Sequence, residues 1–147
     1  MLKRIALALI ACLWASLAAA QSPLFIPPDS AATRMTVNAA ATGTTAGATA
    51  TLPAVQGKTT FICGFSVTPG SATAAITINV TVTGPASTFT YSVGAPATAV
   101  GVTGAALLQN FTPCVAASAM NTTIAVAAGA LGAGGVNQDV NVWGFQF

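Results

Sequence analysis

The stretch that decides the fold is "AAITINVTVTG", residues 74–84. Ile76, Ile78, Val80 and Val82 alternate with Thr77, Asn79, Thr81 and Thr83. Side chains on an extended chain point alternately to opposite faces, so this pattern predicts a strand with one buried face and one wet face. Strands of that kind belong to antiparallel sheets, which can cover one face and hydrate the other. Working outward, "STFTYSV" (87–93) repeats the pattern, setting Phe89, Tyr91 and Val93 against Thr88, Thr90 and Ser92. Upstream, "TTFICGFSVT" (59–68) places Phe61, Cys63, Phe65 and Val67 on one face. Thr60, Ile62, Gly64, Ser66 and Thr68 then fall on the other.

Turn chemistry separates these segments. Pro69-Gly70 and Gly84-Pro85 interrupt them, and the glycine-rich "GALGAGG" (129–135) precedes the final apolar stretch. Weaker strands fit 34–39, 46–52, 104–112 and 122–128, and 137–147 completes the set. Pro113 marks the end of the 104–112 strand or an edge position. "AATGTTAGATAT" (40–51) reads as a plain hairpin. No helix start or sustained helical period is present beyond the N-terminal region. About eight short strands predict an all-β fold, an antiparallel two-sheet β-sandwich of jelly-roll type.

The N-terminus reads as a signal peptide, residues 1–20. "MLKRIALALIACLWASLAAAQS" has a basic start at Lys3 and Arg4, an apolar run, and Ala18-Ala19-Ala20 before Gln21. Leu9-Ile10-Ala11-Cys12 also matches a lipoprotein cleavage pattern, so lipidation of Cys12 stays open as the rival reading. Residues 21–32, "QSPLFIPPDSAA", read as an extended Pro-rich tail, because Pro23, Pro27 and Pro28 remove amide donors. Residues 33–147 then form a single domain.

Beyond residue 20 the charges are Arg34, Lys58, Asp29 and Asp139, which balance, and the whole chain has no His. So little charge cannot steer nucleic acid or anionic lipid. It also removes the repulsion that keeps small domains apart, which favours self-association. A catalytic centre needs titratable or nucleophilic groups in useful proximity. Two carboxylates, one in the tail and one at a strand start, do not supply it, and no enzyme is expected. Gly57-Lys58-Thr59 in "VQGKTT" lacks the upstream glycine spacing of a phosphate loop and reads as a turn entering a strand. Asn137, Asp139 and Asn141 offer a thin oxygen set for calcium, more simply read as a polar strand start. No cofactor or metal is expected. The Asn-x-Thr triplets at Asn79, Asn110 and Asn121 are ordinary products of a Thr-rich composition.

Of three cysteines, Cys12 leaves with the signal peptide, and Cys63 and Cys114 remain. Two cysteines in an exported chain read as one disulfide, worth roughly 4 kcal/mol through the loop it closes. The alternative is two separate buried thiols.

"DVNVWGFQF" (139–147) poses the one ambiguity of register. Val140, Val142 and Gly144 share one face, and Asn141, Trp143, Phe145 and Phe147 the other. A bulge near Trp143-Gly144, turning both sets inward, is the favoured reading. Without one, Trp143, Phe145 and Phe147 are the candidate partner contact. The C-terminal aromatic alternation also resembles the assembly signal of outer-membrane β-barrels, a third possibility.

The phrases "ATLPAVQGKTTFICGFSVT", "NFTPCVAASAMNTTIAV" and "VNVWGFQF" resemble a group of small, uncharacterised secreted proteins of alphaproteobacteria. Related segments are similar to prophage-encoded, virion-associated β-sandwich proteins. The resemblance covers roughly residues 50–147 and implies pairing of Cys63 with Cys114. Phage structural proteins normally lack signal peptides, so the leader favours a secreted, periplasmic or cell-surface location in a bacterium. The expected role is structural or adhesive, with a second copy or a cell-surface molecule as partner. A carbohydrate-binding module is the alternative, with a glycan on Trp143.

Overall fold

The computed structural model describes residues 34–97, 103–135 and 137–147. The expected signal peptide, Cys12 and the Pro-rich tail lie outside the described residues. Eight strands follow in order: β1 (Met35–Gly43), β2 (Ala48–Leu52), β3 (Thr60–Thr68), β4 (Ile76–Thr83), β5 (Phe89–Ala95), β6 (Leu107–Ala116), β7 (Ile124–Ala128) and β8 (Gln138–Gln146). They build two four-stranded antiparallel sheets, the first ordered β1-β8-β3-β6 and the second β2-β7-β4-β5. Chain order alternating between sheets in this way is the double Greek key of a jelly roll. Each sheet ends in two edge strands, so the architecture is an open sandwich and not the closed barrel that the C-terminal aromatics also suggested.

The core lies between the sheets. Ile78, Val80 and Val82 of β4 are buried as the alternation predicts, while Ile76 at the strand start is 39% exposed. Leu52, Ile62, Phe65, Val67, Ile124, Val126, Val140 and Val142 fill the rest with almost no exposed area. Phe65 anchors one side of this core. Its ring meets Tyr91 edge-on at 5.4 Å and Phe111 at 6.2 Å, and Phe111 in turn meets Phe89 at 5.9 Å. Phe89 and Tyr91 point inward as expected but stay half-buried, because β5 is an edge strand.

Several local expectations change. The 40–51 stretch does make a tight turn, with Thr44 bridged to Gly47, but its arms then part into different sheets. β1 pairs with β8, and β2 with β7. The segment is therefore a sandwich corner instead of a plain hairpin. β6 runs on through Pro113 to Ala116, and it is tolerated there because β6 is an edge. The "VQGKTT" reading holds: Lys58 N–H donates to the Val55 carbonyl at 3.1 Å, and β3 begins two residues later.

The largest correction concerns phase. β8 is regular, pairing with β1 in unbroken register from Met35↔Gln146 to Gly43↔Gln138. The expected bulge near Trp143-Gly144 is not in β8. It lies on the facing strand, where Ile62 pairs with Gly144 but Gly64 pairs with Trp143, leaving Cys63 as the extra residue. One extra residue reverses which side chains face the core. Ile62 therefore points inward before the bulge, Phe65 and Val67 after it, and Phe61 is turned out with Cys63.

Candidate contact face

The two sandwich faces that look away from the core are unlike. On the second sheet the outward positions are Thr49, Thr51, Thr77, Asn79, Thr81, Thr83, Thr90 and Ser92, with Ala125 and Ala127. Among the described residues that face is polar, uncharged and free of aromatic rings. On the first sheet the unbulged β8 sends Asp139, Asn141, Trp143 and Phe145 outward, while Val140, Val142 and Gly144 are buried.

Phe145 stands directly opposite Phe61, and their rings stack at 4.7 Å with 12° between planes. The guanidinium of Arg34 lies 4.5 Å from the Phe145 ring centroid, a cation–π contact at the sheet margin. Trp143 is one step along. Its ring covers Gly64, where an added Cβ would come within 2.5 Å of the indole. Glycine at 64 thus makes room for the indole to lie against the sheet. Gly144 has a matching reason on the inner side, since a side chain there would run into the Phe61 carbonyl. Asn38 of β1 stands beside Trp143, and Thr36 beside Phe145.

Phe147 extends the row and is 54% exposed. Its backbone exchanges two hydrogen bonds with Thr59, at 2.7 and 3.1 Å, which fixes the end of β8 against β3. The structure therefore brings Trp143, Phe145 and Phe147 onto one outer face, and adds Phe61 and Arg34. Phe61 escapes a reading by alternation because the bulge intervenes. Its one signal in the sequence is Cys63-Gly64, an unusual pair for the middle of a strand.

The disulfide belongs to this face. Cys63 and Cys114 are bonded, with their Cα atoms 4.3 Å apart, and both are half-buried. Across from Cys63, β6 jumps from the pair Ile62↔Val115 to Gly64↔Asn110, so the bond ties the bulge to the irregular stretch of β6. A bonded pair is compatible with an oxidising, exported compartment. Among the described residues no helix is long and apolar enough to cross a membrane.

At the far end of β8, Thr42 Oγ1 donates to Asp139 Oδ1 at 2.9 Å. Among the described residues no three His, Cys, Asp or Glu side chains stand close enough to hold a metal ion. Two buried amides complete β8. Gln146 donates to the Pro53 carbonyl at 2.6 Å beside Thr60, while both side-chain polar atoms of Gln138 are buried without a partner among the described residues.

What the molecule offers is a jelly-roll sandwich with one aromatic outer face and one threonine outer face. No known family, curated protein or solved structure matches the chain.

Proposed function

We propose that this is an exported, non-enzymatic bacterial protein with a structural or adhesive role, acting by surface contact or self-association. The outer face of the first sheet is its contact surface. The observation that carries this reading is the segregation of Phe61, Trp143, Phe145 and Arg34 onto one outer face while the other outer face holds none. Aromatic rings and arginine dominate contact energetics, the rings because they bury large area with few rotatable bonds and arginine because its planar guanidinium stacks and donates hydrogen bonds. A merely soluble sandwich has no need of them outside. The leader, the disulfide and the sparse charge support export and a role without catalysis.

The test is retention of the purified protein on the surface of the exporting cells. Wild type is expected to be retained, and Trp143→Ser combined with Phe145→Ser to be washed off. Equal retention of both removes the aromatic face from the account.

A carbohydrate-binding module remains the second reading, favoured by the Trp143 ring lying against the sheet with the Asn38 side chain beside it. Sugars stack on such rings and hydrogen-bond to neighbouring amides. A glycan array with wild type and Trp143→Ala decides it, and a wild type that binds no glycan ends that reading.

A further inference from the structure

Among the described residues β1 is one of the two open margins of the first sheet, and its main chain can be read in full. β8 faces β3 through its odd positions, since Phe147 N–H donates to the Thr59 carbonyl and Thr59 N–H to the Phe147 carbonyl. Main-chain groups alternate sides along an antiparallel strand, so the even positions of β8 face β1. The unbroken register makes the odd positions of β1 their partners. Thr36, Asn38, Ala40 and Thr42 therefore turn their N–H and C=O groups to the open edge.

Natural proteins guard such edges with charge, proline, bulges or brevity. β2 is only five residues long, β6 carries Pro113 and an irregular register, and β5 has Gly94 near its end with Pro96 just beyond. β1 has nine residues and a regular register, with no charge, proline or bulge within it.

We propose that β1 pairs antiparallel with β1 of a second copy of this chain, joining the two first sheets into one continuous sheet. This deepens the self-association part of the proposed function and rests on it, and it does not depend on what the aromatic face binds.

Charge selects the partner and its direction. Arg34 precedes one end of β1, and Asp139 lies beside Thr42 at the other. Pairing centred on Asn38 sets Arg34 opposite the partner subunit's Thr42, on the same face as the partner's Asp139, and two-fold symmetry makes the contact twice. Parallel pairing would set like charges together. In the single chain Arg34 rests over Phe145, an exposed contact weak enough to give way.

Apolar cover agrees. Met35 is 52% exposed, and Val37, Ala39 and Ala41 are only half-buried although they face the core side. The same register sets Met35 against the partner's Ala41 and Val37 against the partner's Ala39. Asn38 meets the partner's Asn38 at the centre, where neither carries charge. The joined sheet would present two aromatic groups on one face, so a weak contact of each gains from the other.

Sedimentation equilibrium on the purified protein tests this. Wild type is expected to show a reversible monomer–dimer equilibrium. Ala40→Pro removes an amide from the open edge without touching the ladder to β8. It should weaken the dimer by about tenfold or more, with circular dichroism and melting unchanged. Arg34→Glu should weaken it as well, and adding Asp139→Arg to that variant should restore it. Trp143→Ser should leave the dimer intact, which separates this inference from the role of the aromatic face. A wild type that stays monomeric at every concentration overturns the proposal. So does Ala40→Pro that stays folded and dimerises like wild type. If Ala40→Pro loses its fold, the charge exchange decides, and Arg34→Glu at wild-type strength is the overturning result.

Discussion

The molecule holds two aromatic groups on opposite sides of the first sheet. Inside, Phe65, Tyr91, Phe111 and Phe89 bridge the two sheets at one side of the core, with Phe65 fully buried. Outside, the half-buried Phe61 and Phe145 stack on each other, with Arg34 on one ring and half-buried Trp143 alongside. Phe61 and Phe65 sit on the same strand, four residues apart in number. Without the Cys63 bulge that spacing would put both on one face. The bulge is thus what divides the aromatics between holding the fold and facing the surroundings.

If that division is right, the same substitution should act differently on the two sides. Phe65→Ala should cost about 3–5 kcal/mol, because it empties a fully buried site that the surrounding strands cannot collapse into. Urea unfolding of the purified variant measures it, and a loss below that range would mean the inner group is not the anchor. Replacing Cys63 and Cys114 together by Ala should cost about 2–4 kcal/mol. It should also loosen the bulge, visible as faster amide exchange at Phe61 and Gly64 than at Val80.

The outer pair should matter less for stability. Phe61→Ala and Phe145→Ala should each cost about 1 kcal/mol, and a double-mutant cycle between them should show a coupling of about 0.5–1.5 kcal/mol from the stacked rings. Costs as large as that of Phe65→Ala would make the outer group structural. The smallest effect concerns Gln138, whose buried amide meets no partner among the described residues. Gln138→Met should be neutral or stabilise by up to about 1 kcal/mol, since an unsatisfied polar group is replaced by an apolar one of similar length. A melting temperature lowered by several degrees would show that the amide is satisfied in solution.

Much of the fold was legible in the sequence. The eight strands and the two-sheet sandwich follow from period-2 alternation, which is strong wherever Thr or Ser opposes Val, Ile or Phe. In β4 and β5 alternation picks out the inward side chains, although Ile76 at the start of β4 is exposed and β5 begins and ends two residues later than "STFTYSV". Legibility fails where both faces of a strand are apolar. In β8, Val140 and Val142 on one side and Trp143 and Phe145 on the other give alternation no preference, and the interior takes the smaller β-branched set. In β3 the phase shifts by one at Cys63, and the inserted residue leaves no trace in the sequence beyond the Cys63-Gly64 pair. Gly144 suggested the bulge, yet it is there because the bulged strand opposite approaches too closely for a side chain. The expected site residues Trp143, Phe145 and Phe147 do share one face, but Phe61 and Arg34 reach it only through register. Edge exposure at β1 is likewise a property of sheet order, which no local pattern carries.

The most direct test of the central claim pairs two measurements on one variant, Trp143→Ser with Phe145→Ser. Thermal melting reports what the outer rings hold together, and retention on the exporting cells reports what they contact. The expected result is a melting loss well short of that for Phe65→Ala together with abolished retention. A variant that is strongly destabilised, or one that melts normally and is retained like wild type, would contradict it.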